Sequence, residues 1–222
     1  KRLKPDVLLM TNIFRERRDK PSDINNILGN IKESLAGKED ILLIINADDP
    51  PLAAFSEGLP NPKIYFGLGH AFGTEETFSK EVECGVCGGT LTYARHFYGD
   101  LGHYRCKNCG FIRPEPDYKV SLSDRGEGLS AEGPEGFCIE AKVNSLDTYN
   151  GYNVLAAVTY AATAGFKGDD IIKGIEGYEP QLGRMERFQL DKPVILNLAK
   201  NPVGFNESMK VVLQDKRPKA VI

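Results

Sequence analysis

The sequence predicts an α/β protein: a mostly parallel sheet with flanking helices, carrying an inserted four-cysteine ribbon and followed by the start of a second α/β unit. Three observations predict it. Short apolar runs at residues 6–13, 41–45 and 63–67 alternate with helical patterns, the layout of parallel strands joined by helical crossovers. Two Cys-x-x-Cys turns separated by eighteen residues interrupt that alternation. From residue 192 the register changes, and a fresh strand and helix begin. The expected boundaries are residues 1–190 for the main domain, about 78–118 for the ribbon within it, and 191–222 for the second unit.

Taken in order, residues 6–13 form an apolar run of the kind a buried parallel strand requires. Ser22 and Asp23 offer N-caps to a helix whose apolar residues Ile24, Ile27, Leu28, Ile31 and Leu35 recur at three and four, and Gly37 closes it. A second run, residues 41–45, ends in the polar turn Asn46-Ala47-Asp48-Asp49-Pro50; a short helix at 52–55 and a third strand at 63–67 follow. After the ribbon, whose exit is marked by Pro114 and Pro116, residues 126–136 read as a turn and 137–143 as a strand. Helices are expected at 150–164 and 169–175, then a loop from Gly177 to Arg187. A strand at 193–198, a helix at 206–214 and a strand beginning at 220 resemble the first βαβ of a further domain, and both ends of the chain read as truncated.

Cys84, Cys87, Cys106 and Cys109 have metal-ligand spacing. Each pair is followed at once by glycine, Gly88 and Gly110, which relaxes the backbone around the sulfurs. Residues 91–98 feed a hairpin turn at Gly99-Asp100, so the expected element is a zinc ribbon. Four thiolates leave no open coordination position, so the metal is expected to be structural. Two disulfides or free cysteines are the competing assignments. His70, His96 and His103 read as surface or packing residues, and Cys138, in an apolar run, as a small buried hydrophobe.

Composition narrows the function classes. With 222 residues, 41% of them hydrophobic, the chain can bury a large core. A net charge of −3 gives no footprint for nucleic acid and argues against a nucleic-acid finger. No apolar run is long enough to span a membrane, no signal peptide opens the sequence, and the cysteine usage fits the cytoplasm.

Three further groups can carry chemistry. Asp48 and Asp49, after a buried strand, suit Mg²⁺ or a polar substrate, or else N-cap the helix that follows. Asn150 and Asn153 stand three apart in the first turn of a helix, where their amides suit a purine edge or ordinary capping. Arg184, in Gly183-Arg184-Met185-Glu186-Arg187, offers a guanidinium for phosphate in what is otherwise a solvated loop. Gly37-Lys38 lacks the remaining elements of a phosphate-cradling loop.

The strand ending Thr11-Asn12, the turn at 46–50, the helix start Tyr149-Asn150 with Asn153, Ala156 and Ala157, and Gly183-Arg184-Met185-Glu186 together resemble the central ATPase domain of the Mur ligases. The ribbon, with residues 200–206, is similar to a branch of that family that works with a glutaminase subunit. The resemblance implies ATP, Mg²⁺ and Zn²⁺ as cofactors and a Rossmann-like C-terminal domain after residue 190. It also implies amidation of the D-glutamate α-carboxylate in the lipid II stem peptide, through an acyl phosphate, with ammonia from the glutaminase partner. In it Asn150 and Asn153 would contact ATP, Arg184 would approach its phosphates, and Glu16, Asp48 and Asp49 would serve Mg²⁺ or phosphate. Arg17 stands where the family commonly has a Mg²⁺-binding His, and arginine cannot ligate a cation. The family's P-loop is expected before Lys1 and its catalytic acid after Ile222. Rival expectations are another Mur-like amide ligase of folylpolyglutamate synthase type, or a non-catalytic zinc-ribbon interaction module.

Overall fold

The computed structural model describes residues 5–14, 22–69, 81–122, 128–143, 148–178, 186–199, 202–214 and 216–221. They fall into two units, Lys1–Glu176 and Gly177–Ile222. The first unit runs β1 (Val7–Met10), α1 (Ser22–Leu35), β2 (Leu42–Asn46), α2 (Pro50–Glu57), β3 (Lys63–Leu68), β4 (Leu91–Tyr98), β5 (Leu101–Cys106), β6 (Tyr118–Leu122), β7 (Gly128–Glu132), β8 (Cys138–Lys142), α3 (Thr148–Thr163) and α4 (Gly168–Glu176).

Six of these strands form one sheet in the order β1-β2-β3-β6-β7-β8. The pairs β1 with β2, β2 with β3 and β3 with β6 are parallel; β7 alone runs against its neighbours. Leu43, Ile44 and Ile45 of β2 are all fully buried, which is why that strand reads as an unbroken apolar run. One face of the sheet packs Leu43, Ile45, Leu35 and Leu52 together, with Leu28 and Ile31 of α1 against them. Each such side chain contributes about 1.5–3 kcal/mol by leaving water. Gly37, at φ +70°, ends the α1 segment in the left-handed conformation expected of a C-terminal glycine.

The hairpin of β4 and β5 stands apart as its own two-stranded sheet, between β3 and β6 in sequence. Because β3 and β6 are adjacent and parallel, the ribbon occupies a crossover connection and the sheet resumes directly after it.

Residues 128–132, read as part of a turn, form β7, because buried Leu129 and Ala131 alternate with Ser130 and Glu132 on the other face. Small residues muted that alternation in the sequence. Cys138, expected to be buried, is exposed, since β8 turns Ile139 and Ala141 inward and leaves Cys138 on the opposite face.

The second unit contains β9 (Glu186–Gln189), β10 (Pro193–Leu196) and α5 (Pro202–Gln214). β10 pairs antiparallel with β9, in a stretch whose start was expected to be loop, and α5 begins four residues before the expected 206. Residues 220 and 221 form no strand, and no strand parallel to β10 is found among the described residues. Among the described residues no helix is long and apolar enough to cross a membrane.

Candidate metal ribbon and the polar turn beside it

The four cysteine sulfurs lie within 4.8 Å of one another. Cys84 Sγ is 3.7 Å from Cys109 Sγ, and Cys87 Sγ is 3.6 Å from Cys106 Sγ. A covalent S–S bond would need about 2.05 Å. A tetrahedral ion with metal–sulfur bonds of about 2.3 Å would place its ligands about 3.8 Å apart, so the set fits a four-thiolate metal site.

The backbone explains the convergence. Gly88 N–H donates to Cys84 O and Gly110 N–H to Cys106 O, closing two tight turns in which both glycines have positive φ, +73° and +80°. Two donors, the Asn108 amide at 3.3 Å and Gly89 N–H at 3.4 Å, point at Cys87 Sγ. They pull that thiol down to about 6, toward the thiolate that ligates metal. Cys84 and Cys106 are buried while Cys87 and Cys109 are exposed, so the site lies at the edge of the ribbon. His103 packs edge-on against Phe97 at 5.2 Å, in keeping with its expected packing role. His70 lies outside the described residues.

The ribbon has its own core of Val82, Cys84, Leu91, Tyr104, Cys106 and Phe111, and it packs on Ala53 of α2. The fit there is close: a Cβ on Gly85 would come within 2.9 Å of Ala54 Cβ. It is also bonded to the turn after β2. Tyr104 Oη donates to Ala47 O at 2.9 Å, and Gly102 N–H to Asp48 O at 3.0 Å.

That turn holds both acidic candidates. Asp48 is fully buried: Arg113 Nε donates to its Oδ1 at 2.5 Å, while Leu68 N–H and Tyr152 Oη each donate to Oδ2 at 2.8 Å. Burial raises its pKa, opposed by the Arg113 charge and these hydrogen bonds. Asp49 caps α2 by accepting from Leu52 N–H at 3.1 Å on Oδ1, and takes Ile13 N–H at 2.8 Å on Oδ2. Burial pushes Asp49 up to about 7 against those two donors, with the charges of Asp100 and Asp48 adding to the rise. Asn46 completes the turn, accepting from Asp48 N–H at 2.9 Å and donating to Thr11 O at 2.7 Å.

α3 delivers Tyr152 to this turn, and Asn150 and Asn153, both partly buried, lie in the same opening stretch of the helix. Burial first, then the Asp48 charge, holds the Tyr152 hydroxyl well above its usual pKa, so it remains a donor. A cleft of about 420 Å³ opens between α1, α2 and the ribbon, with Asp49, Glu83 and Asp100 on its wall. A second, of about 400 Å³, is lined by Gly69, His103, Arg105, Arg113 and Lys119. Glu16, Arg17 and Arg184 lie outside the described residues, as do Lys200 and Asn201. Sequence reasoning missed Arg113, Tyr152 and Tyr104. Pro114 and Pro116 drew attention as punctuation, and a tyrosine in an apolar helix reads as core.

No family profile matches the chain. Curated relatives do, among them the lipid II isoglutaminyl synthase (glutamine-hydrolyzing) subunit MurT of Staphylococcus aureus strain COL and its namesake from Streptococcus pneumoniae. The first is 33% identical over 214 residues, covering 95% of this chain and 48% of the relative. The second is 30% identical over 218 residues, covering 95% and 47%. The chain therefore spans about half the length of the curated relatives it matches. Among solved structures, a pseudomurein peptide ligase type C from Methanothermus fervidus superposes with a TM-score of 0.69 at 29% identity, covering 97% of this chain and 42% of that one. MurF from Acinetobacter baumannii shares the fold, with a TM-score of 0.61 at 18% identity over 96% of this chain and 38% of its own. The chain is thus a homologue of the MurT subunits with a Mur-ligase fold.

Proposed function

We propose that this chain is the ATP-handling part of a ligase that amidates the D-glutamate α-carboxylate of the lipid II stem peptide, in complex with a GatD-like glutaminase that supplies ammonia. The observation that carries this reading is the 30–33% identity to MurT subunits over 95% of the chain.

In the proposed reaction a carboxylate oxygen takes the γ-phosphoryl group of ATP, giving an acyl phosphate and ADP. Ammonia then adds to the acyl carbon, phosphate leaves with the C–O bond electrons, and a proton lost from nitrogen completes the amide. Such chemistry needs charge neutralised around the transferring phosphoryl group and water kept from the acyl phosphate. Asn150 and Asn153 are assigned to ATP, Arg184 to its phosphates, and Glu16, Asp48 and Asp49 to Mg²⁺ or phosphate. Of the two aspartates, Asp49 is the one that borders the 420 Å³ cleft, although both its oxygens already accept backbone N–H groups. Asp48 meets three donors inside the protein. Zn²⁺ is assigned to Cys84, Cys87, Cys106 and Cys109, where it would tie the two ribbon turns together. Residues 191–222, which hold β10 and α5, are assigned to the beginning of a Rossmann-like C-terminal domain.

The test is reconstitution of the full ligase subunit with its glutaminase partner, lipid II, glutamine, ATP and Mg²⁺. The expected result is ADP and phosphate released in step with conversion of the stem-peptide carboxyl to carboxamide, read by mass spectrometry. ATP binding without lipid II amidation would favour a different Mur-like amide ligase. Failure of calorimetry to detect ATP binding would leave the ribbon as an interaction module.

A further inference from the structure

The ribbon and α3 meet on one carboxylate. From the ribbon side, Arg113 Nε reaches Asp48 Oδ1 at 2.5 Å and Arg113 Nη2 reaches Leu68 O at 3.1 Å, while Gly102 N–H holds Asp48 O at 3.0 Å. From the opposite side, Tyr152, buried in the first half of α3, donates to Oδ2 at 2.8 Å. β3 is cut back to admit this arrangement. A Cβ on Gly67 would lie 2.6 Å from Arg113 Nη2 and 3.0 Å from Asp48 Oδ1. Neither metal binding nor docking on α2 requires these bonds, because the ribbon's apolar core already joins it to Ala53. A buried ion pair is weak support for stability compared with apolar side chains of the same volume, so this one needs another role.

We propose that Arg113 and Tyr152 are positioning residues: through Asp48, the ribbon's exit segment fixes the depth and rotation of the first turns of α3. This rests on the reading of Asn150 and Asn153, on those turns, as ATP-binding residues. Arg113 holds Asp48 Oδ1 in place and its charge opposes the burial that raises Asp48, and the carboxylate in turn holds Tyr152. Without the guanidinium, Asp48 Oδ1 loses its donor and its charge partner, and the carboxylate that Tyr152 bonds is no longer fixed in place.

The experiment uses the full ligase subunit in complex with its glutaminase partner and the variants Arg113→Gln, Arg113→Lys and Tyr152→Phe. Three quantities are measured: metal content, hydrogen exchange of amides 149–156, and KM for ATP against kcat. Arg113→Gln and Tyr152→Phe are expected to keep their metal. Their α3 amides should exchange about tenfold faster and their ATP KM should rise about tenfold, with kcat at saturating ATP little changed. A variant combining Arg113→Gln with Tyr152→Phe should be no worse than either single one, because both act through one carboxylate. Arg113→Lys should recover part of the loss. Unchanged exchange and KM in folded Arg113→Gln, or additive effects in the double variant, would overturn the proposal. Should Arg113→Gln fail to fold, Tyr152→Phe decides alone, since it keeps the ring and removes only the donor. A wild-type complex that binds no ATP, together with faster α3 exchange in the variants, would refute the nucleotide assignment and leave the coupling to α3 standing. ATP binding with no exchange effect would do the reverse.

Discussion

Asp49 carries two backbone hydrogen bonds yet is pushed up to about 7, because full burial outweighs what Ile13 and Leu52 return. The folded protein holds this proton more tightly than the unfolded chain, so Asp49 contributes stability that is present below pH 3.8 and lost as pH rises to about 7. The loss is on the order of 4 kcal/mol across that window. Denaturant unfolding of wild type and Asp49→Asn should show it: the variant keeps the cap acceptor, and its stability should fall less between pH 4 and 7. Asp48→Ala acts differently, stranding an Arg113 side chain that is only 11% exposed. It should cost about 3–5 kcal/mol, read from the denaturation midpoint. The acidic turn was legible in the sequence because carboxylates after an apolar strand are conspicuous. Its partners were not, since Arg113 and Tyr152 lie 65 and 104 positions further along and leave no local pattern.

At the level of elements, the four-cysteine ribbon is the part that sequence spacing specified best, because each Cys-x-x-Cys turn and its following glycine is a local geometry. Strand β7 was hidden for the opposite reason: its inward residues, Leu129 and Ala131, contrast weakly with its glycine and serine, and only its neighbours reveal it. α2 was found but drawn short, since Pro50 and Pro51 look like breakers although they occupy first-turn positions that need no N–H donor. The ribbon's separate core makes its dependence on metal testable. If the ribbon holds a metal as proposed, Cys87→Ser or chelation should lower the metal content read by elemental analysis and abolish amide protection in β4 and β5. β1, β2 and β3 should stay protected, because their apolar cluster contains no ribbon residue.

Across the first unit, a sheet with five strands in one sense and one reversed explains why βαβ alternation predicted the first half better than the second. The alternation signal belongs to crossovers, and β6, β7 and β8 are joined without them. A corresponding limit applied to Asn150, Asn153 and Arg184: local context read the asparagines as purine contacts or ordinary caps and the arginine as a phosphate contact or solvated loop, and only family likeness chose between those readings. The reach of Asp48 also bears on how the protein is made. The two ribbon strands are joined through Gly99 and Asp100 alone, whereas the carboxylate must wait for a helix 104 residues downstream. Closing so long a span is entropically slow. In pulse-labelled refolding, protection of β4 and β5 should precede that of the opening turns of α3. A nascent chain would therefore carry a finished hairpin well before its acid found the tyrosine, and assembly order itself would delay the seating of α3 until the domain was whole.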